Sequence, residues 1–186
     1  MKRNLAVLIM LCVLLCGCKQ SGDGIEQALV FRKSLLNGNG CKFVATITAD
    51  YQDVFYTFAM NCMIDSIGNV KFEVVEPDTI KGISGNISED EGKLTFDDKV
   101  LLFAVLAEGQ ITPVSAPWLF INALKSGYIN GCSKEEDGWM LDINSSYAQD
   151  ALNTKIRIMS DRPVYAEIIW QNRCVVKIDV EDFQIL

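Results

Sequence analysis

The periodicity of apolar and polar residues changes from helical spacing to alternation close to residue 40. Residues 25–37 place their apolar side chains near helical spacing, and Gly38 and Gly40 then stop the pattern. Beyond this point apolar and polar residues alternate in most segments, as they do in strands that bury one face. We therefore expect one amphipathic helix followed by sequential hairpins of an antiparallel sheet.

The first hairpin is the most informative part of this pattern. A turn at residues 50–53 pairs residues whose numbers sum to 103 and puts their apolar side chains on one common face. In an exported protein, two cysteines placed opposite each other in this register suggest a cross-strand disulfide. Two buried free thiols are the alternative. The predicted pairs are Cys41 with Cys62, Phe43 with Met60, Ala45 with Phe58, and Ile47 with Tyr56.

The segments after this hairpin continue the strand pattern. A third strand, residues 70–76, alternates apolar and charged side chains, and Pro77 ends it. Two shorter strands, in residues 80–87 and 92–97, flank an acidic turn. Residues 100–110 are ambiguous between a buried strand and a short helix, and their length and their Ala and Leu content favour the helix.

A further helix is marked at both of its ends. Ser115, followed by Pro117, is a helix start, and Gly127 is a helix stop. The surface of this helix is unusually apolar for an exposed element, so we expect it to pack on the sheet. Its apolar side chains are Trp118, Leu119, Ile121 and Leu124.

The rest of the chain returns to alternation and ends in another hairpin. Strands are indicated at residues 139–143, 154–159, 163–170 and 174–183. A loop at 171–173 pairs residues whose numbers sum to 344, and the apolar side chains again share one face. The predicted pairs are Val164 with Val180, Ala166 with Ile178, Ile168 with Val176, and Trp170 with Cys174.

These elements add up to about nine to eleven strands and two or three helices. A long antiparallel sheet with one apolar face must cover that face, and two or three helices are few for a flat sheet of this length. A sheet that curls around the helices can bury its apolar face with only two or three of them. The predicted fold class is therefore α+β, an incomplete antiparallel β-barrel with helices capping its concave face.

The N-terminus has the features of an export signal. Lys2 and Arg3 precede an apolar segment, residues 5–15, that is too short to span a bilayer. The sequence Leu-Cys-Gly-Cys that follows resembles the bacterial lipobox, in which the last cysteine, here Cys18, receives a diacylglycerol and becomes the mature N-terminus. An uncleaved signal anchor is the alternative. The predicted division is a signal peptide (1–17), a lipidated tether (18–24) and one domain (25–186), held by its lipid at the extracytoplasmic face of a bacterial membrane.

Composition narrows the classes of function. Removing residues 1–17 removes two of the 17 basic residues and none of the 24 acidic ones, so the net charge changes from −7 to −9. Such an acidic chain is a poor partner for nucleic acid. The absence of histidine excludes a Ser-His-Asp triad and a His-based zinc site. The tight carboxylate groups, at 97–98 and 135–137, lie in predicted turns without calcium-loop spacing, so we expect no catalytic residues, metal or other cofactor.

At the level of element order, the chain resembles the LolA-like lipoprotein-carrier superfamily. The resemblance rests on the strand Phe43–Tyr51, a third strand ending in Phe-Glu-Val-Val-Glu-Pro, the Ile-Lys-Gly-Ile-Ser-Gly segment, and the helix Ala-Pro-Trp-Leu-Phe-Ile-Asn-Ala-Leu. It implies a half-barrel whose concave face binds acyl chains of lipids or lipoproteins. The side chains expected to line that cavity are Phe43, Ile47, Tyr56, Phe58, Met60, Phe72, Val74, Trp118 and Trp170.

Two other interpretations stay open. The apolar side chains could simply pack against one another as an ordinary core. Lipid-anchored germination and sporulation proteins with a LolA-like body are also similar, which implies instead a non-enzymatic module that supports an envelope or cell-wall hydrolase partner. A second disulfide between Cys132 and Cys174 is possible, although no strand register links them.

Overall fold

The computed structural model describes residues 22–51, 54–89, 91–96, 99–103, 106–107, 110–148 and 150–186. The helices among them are α1 (Gly22–Asn37) and α2 (Ala116–Ser126), and a 3-10 turn (Pro113–Ser115) precedes α2. The strands are β1 (Gly40–Asp50), β2 (Phe55–Asp65), β3 (Val70–Glu76), β4 (Ser84–Ile87), β5 (Gly92–Phe96), β6 (Lys99–Phe103), β7 (Leu106–Ala107), β8 (Gln110–Ile111), β9 (Tyr128–Glu135), β10 (Gly138–Asn144), β11 (Asn153–Met159), β12 (Arg162–Trp170) and β13 (Arg173–Ile185).

Eleven of these strands form one antiparallel sheet in the order β6-β5-β4-β3-β2-β1-β13-β12-β11-β10-β9. The first and last long strands, β1 and β13, pair at its centre, so the two halves of the chain extend outward from there as successive hairpins. Strands β6 and β9 end the sheet and do not pair with each other, so the barrel is not closed. Strands β7 and β8 pair separately. The predicted fold, an incomplete antiparallel barrel with helices, is confirmed.

One face of the sheet carries the hydrophobic core, and both helices contribute to it. Phe43 of β1 stacks on Phe183 of β13 and meets Phe120 of α2 edge-on, with 5.6 Å between ring centroids in each pair. Phe31 of α1 lies 5.9 Å from Phe183. Since aromatic rings prefer such offset and edge-to-face arrangements, these contacts join α1, the central strands and α2 into one packed unit. We call this side of the sheet the inner face.

Two predicted boundaries change in the structure. Helix α1 begins at Gly22, so residues 22–24, predicted to be tether, form its first turn. Such a turn needs no apolar side chain, so the hydrophobic pattern does not reveal it. The described residues of the segment 100–110 are not helical and belong to β6, β7 and β8. The prediction failed because β5 provides a hydrogen-bonding edge for β6, a tertiary effect that length and composition do not reveal.

The first hairpin forms, but its predicted register is wrong by two residues. In the structure the paired numbers sum to 105, so that Cys41 faces Ile64 and Cys62 faces Phe43. The two cysteines are therefore diagonal neighbours, with Cβ atoms typically about 7–8 Å apart, whereas a disulfide needs about 3.5–4.5 Å. Cys41 and Cys62 are both buried free thiols. Cys132 and Cys174 are also free, and they are half-buried. The register on which the disulfide prediction rested is thus contradicted.

The C-terminal hairpin follows its predicted register over most of its length. Ile168 faces Val176 and Ala166 faces Ile178, as the alternation indicated. A register shift after Ile168 places Trp170 opposite Arg173 instead of Cys174. Bulges of this kind occur at strand ends, and a strict two-residue alternation cannot anticipate them. The predicted signal peptide, Cys18 and the carboxylates at 97–98 lie outside the described residues.

Candidate acyl-chain site on the inner face

The inner face of β1, β2 and β3 gathers most of the predicted lining residues. These strands bury alternate side chains because one face is covered by the helices. Six of the nine predicted residues belong to a single core cluster and are at most 7% exposed. They are Phe43, Ile47, Phe58, Met60, Phe72 and Val74.

The other three predicted residues lie at the margin of this core. Trp118 and Trp170 are partly buried against it. Tyr56 is 51% exposed, and its ring centroid lies 6.1 Å from that of Tyr51. Strand β3 begins to pair with β2 only at Ala59, so the start of β2 extends past its neighbour. Tyr56 is therefore a rim residue and not part of the enclosed interior.

Helix α2 covers the inner face and buries seven of its 11 residues. Its ends lie where the sequence predicted them, with Ser115 as N-cap and Gly127 as C-cap. The Ser115 hydroxyl donates to the carbonyl of Thr112 (2.6 Å), and the Gly127 N–H donates to the carbonyl of Ala123 (3.0 Å). Helices apolar on most sides are found between other elements, as here between the sheet and α1. The buried residues of α2 are Ala116, Pro117, Leu119, Phe120, Ile121, Ala123 and Leu124.

A single arginine joins the two helices. Arg32 of α1 donates from Nε to the carbonyl of Leu124 (2.7 Å) and from Nη2 to the carbonyls of Gly127 (2.8 Å) and Ala123 (3.3 Å). The last carbonyls of a helix have no intrahelical partner and carry partial negative charge, so a guanidinium satisfies and stabilises this end of α2. Burial lowers the pKa of Arg32, but an arginine in a protein keeps its proton.

Sequence reasoning missed this contact, although a signal was present. Arg32 lies four residues after Ala28 and three before Leu35, both of which are buried. It therefore occupies the inward side of a helix where a charge needs a partner. The pattern indicates that a partner exists, but it cannot indicate that the partner is a set of main-chain carbonyls 91 to 95 residues away.

At the rim, polar contacts tie the ends of several elements together. The Tyr51 hydroxyl donates to the carbonyl of Ile111, which fixes β8 beside the end of β1. Burial and the neighbouring Tyr56 raise the pKa of Tyr51, so the hydroxyl remains a donor. Arg173, at the start of β13, donates to both the carboxylate and the carbonyl of Asp50. The apolar interior is thus bordered at this end by hydrogen-bonded side chains.

The outer face of the sheet carries a separate groove of about 640 Å³ over β13, β1, β2 and β3. Met63 lines it together with two cations, Lys42 and Lys71, and two anions, Glu73 and Asp182. Its balanced charges and mixed lining differ from the apolar inner face. Of the nine residues predicted to line the cavity, Phe43 and Phe72 also border this groove.

Other kinds of site receive no support from the described residues. Within this part of the chain, no three or more Cys, Asp or Glu side chains gather closely enough to hold a metal ion. Glu136 and Asp137 are exposed in the turn between β9 and β10, as predicted for solvated acids. Glu135 differs from the prediction: it is the last residue of β9, is half-buried and pairs with Arg157 (2.6 Å). Of the helices described, neither is long and apolar enough to cross a membrane.

Several solved structures are similar to this chain, each at low sequence identity. The chain is similar to a LolA superfamily protein from Nitrosomonas europaea (8% identity, TM-score 0.46, covering 91% of this chain and 94% of that one). It is also similar to the Mycobacterium tuberculosis lipoprotein LppX (13% identity, TM-score 0.43, 87% and 93%). A further match is a chain from the structure of the CwlD amidase from Clostridioides difficile in complex with the GerS lipoprotein (14% identity, TM-score 0.40, 91% and 99%). No family model and no curated protein matches the sequence.

Proposed function

We propose that this protein is a lipid-anchored envelope protein that binds acyl chains of a lipid or lipoprotein between the inner face of its sheet and helix α2. The observation that carries the proposal is the make-up of this interface. An unclosed sheet presents a continuous apolar face, and a helix with seven buried residues among its 11 covers it.

Such an interface can exchange partners because apolar contacts have no fixed direction. An acyl chain that entered beside α2 would replace helix side chains such as Phe120 against Phe43, and each buried CH₂ would contribute about 0.8 kcal/mol. Trp118, near the start of α2, is only partly buried against the core, unlike most apolar side chains of this helix. We therefore expect the acyl chain to enter beside Trp118.

Native mass spectrometry of the chain from Lys19, purified without detergent, tests this proposal. The chain begins at Lys19 because every described element lies at or after Gly22. We expect a bound mass that organic extraction identifies as a lipid, or a complex that forms on incubation with palmitate. A protein mass that stays bare in both experiments would show that the inner face is a packed core and would contradict the proposal.

A pair of variants locates the bound chain. Trp118→Ala should weaken palmitate binding by about tenfold, since a large half-buried apolar side chain beside the core is removed. Met63→Ala is the matched control, because Met63 is exposed on the outer face and should leave binding unchanged. Equal weakening by both variants, or by neither, would place the lipid elsewhere.

A non-enzymatic interaction module for an envelope or cell-wall hydrolase is the second candidate. The observation that favours it is apolar surface outside the interior, including Phe55, 67% exposed, and Leu101, 62% exposed. Exposed apolar patches on soluble domains mark interaction sites. Affinity purification of the membrane-anchored protein, after mild cross-linking, should then recover one envelope protein in stoichiometric amount. Recovery of the bait alone would count against this role.

A further inference from the structure

The two edges of the large sheet are protected very differently. Edge strand β9 carries the polar residues Asn130, Ser133 and Lys134, all exposed, and a bulge relative to β10 interrupts its ladder. Bulges and charges are the usual devices that stop an edge from pairing with another strand. The β9 edge is thus closed to further pairing.

Edge strand β6 lacks these devices. Its register with β5 runs without a shift from Lys99 to Phe103, and Lys99 is its only charged residue. Val100, Leu101 and Leu102 are 56%, 62% and 60% exposed, so both faces of the strand present apolar side chains to the solvent. Among the described residues, no strand pairs with its outer edge. A regular, apolar edge of this kind is a template for another strand.

We propose that β6 is a self-association edge, where a second copy of this chain pairs antiparallel with it about a two-fold axis at Leu101. The hairpin register sets this axis. Phe96 faces Lys99 with two residues between them, as in a two-residue hairpin, where the closing pair is hydrogen-bonded. Hydrogen-bonded positions alternate along a strand, so the backbone groups of Val100 and Leu102 point away from β5.

This pairing is self-complementary in charge and shape. Val100 of one copy would face Leu102 of the other in hydrogen-bonded pairs, and the two Leu101 side chains would meet on the axis. Lys99 would face Phe103 of the second copy, so the two Lys99 side chains would not face each other. Two-fold pairing of a different register, centred on Lys99 or Val100, would bring the lysines together or leave Leu102 unpaired.

The contact is short, and its size sets the expected strength. Five-residue strands bury less surface than the interfaces of permanent dimers, so the association should be concentration-dependent with a Kd of roughly micromolar order. An extended segment of a different protein could occupy the same edge in principle. The symmetry of the Lys-Val-Leu-Leu-Phe pattern favours a second copy.

Sedimentation equilibrium of the chain from Lys19 tests the proposal, with a dimer expected at high concentration. Leu101→Lys places two like charges on the axis and should raise the Kd by about tenfold or more. Ile67→Lys is the matched control: Ile67 is 80% exposed in the turn between β2 and β3, far along the sheet order from β6, and should leave the Kd unchanged. Circular dichroism melts confirm that both variants fold.

Cysteine cross-linking tests the register independently of the Kd. Leu101→Cys should form a disulfide-linked dimer on mild oxidation, because residues in a non-hydrogen-bonded pair have Cα atoms only about 4.5 Å apart. Ile67→Cys should give no more dimer than the unsubstituted chain. A chain that stays monomeric up to the highest soluble concentration, or equal cross-linking of both variants, would overturn the proposal and leave the β6 edge to a strand from another protein.

Discussion

At the residue scale, a few polar side chains determine how the apolar parts of this molecule are arranged. Core packing alone specifies position weakly, since many apolar arrangements have similar energies. Arg32 fixes the distance between α1 and α2 through three main-chain carbonyls. Tyr51 and Ser115 do the same for the segment that leads into α2. Each of these contacts joins elements that the hydrophobic pattern leaves free to shift.

The first prediction concerns Arg32. We expect Arg32→Ala to lower the free energy of unfolding by about 2–3 kcal/mol, because it leaves the partly buried carbonyls at the end of α2 without a charged donor. Lys33→Ala, the adjacent exposed residue of the same helix, should change it by less than about 0.5 kcal/mol. Urea unfolding of both variants measures the difference. Equal effects would show that Arg32 does not hold α2.

The second prediction concerns the buried thiols and pH. Burial raises the pKa of Cys41 from 9.0 to about 12, and it raises the pKa of Cys62 as well. Below pH 9 both thiols are protonated whether folded or unfolded, so they do not affect stability. As pH rises above 9, the unfolded chain releases these protons while the folded chain retains them, and stability falls by about 1.4 kcal/mol per thiol for each pH unit.

Urea unfolding at pH 7.5 and pH 10 checks this effect under reducing conditions. The double variant Cys41→Ala/Cys62→Ala should lose clearly less stability over this range than the unsubstituted chain. Thiol counting in denaturant, without reductant, is the accompanying control. Four reactive thiols in the chain from Lys19 are expected, and a count of two would reveal a disulfide and contradict the free-thiol description.

At the element scale, periodicity predicts which segments are strands and which faces are buried, but it cannot fix their alignment. The β1–β2 register shows why: a shift of two residues keeps Phe43, Ala45 and Ile47 on the inner face, so the hydrophobic pattern is identical before and after it. A shift of one residue would have moved these apolar side chains to the outer face, so the alternation excludes it. The prediction of a helix at 100–110 was wrong for a different reason. A continuous apolar run has no clear period, so the sequence alone does not distinguish a buried strand from a helix.

The third prediction concerns the packing of α2. Phe120 is fully buried and meets Phe43 edge-on, so Phe120→Ala should lower the free energy of unfolding by about 3–5 kcal/mol. Asn122→Ala, exposed on the same helix, should have little effect. If acyl chains bind beneath α2, the space left by the ring should also strengthen palmitate binding. Loss of binding in a folded Phe120→Ala protein would argue that the ring itself contacts the ligand.

At the scale of the whole molecule, the sequence predicted the layered architecture but not the state of the interior. An apolar inner face was evident from the alternation in β1, β2, β12 and β13. Whether helices fill that face depends on where α2 lies, and this depends on Arg32 and on the rim contacts of Tyr51. Tyr56 illustrates the limit: it has the right alternation, but its strand extends past β3, so it is exposed at the rim.

The fourth prediction concerns the proposed anchor. When the full chain is expressed in a bacterial host, Cys18→Ala should move the protein from the detergent-extracted membrane fraction to the soluble fraction or leave it as unprocessed precursor. Cys16→Ala is the matched control, since it changes a neighbouring cysteine ahead of the expected cleavage site and should leave membrane attachment intact. Mass spectrometry of the N-terminal peptide should find diacylglycerol on Cys18. An unmodified, membrane-bound protein would instead indicate an uncleaved signal anchor.

The attachment of α1 gives the molecule unequal resistance to tension at its two ends. A load at Leu186 acts on β13, which is hydrogen-bonded on both sides to β1 and β12, so two ladders must shear together. A load at Gly22 acts on a helix that can peel away from its start until it reaches Ala28, the first side chain of α1 in the core cluster. The six residues before Ala28 would lengthen from about 9 Å as helix to about 20 Å when extended. The first turn of α1 is thus a built-in extensible spacer, and Ala28 marks where the rigid body begins.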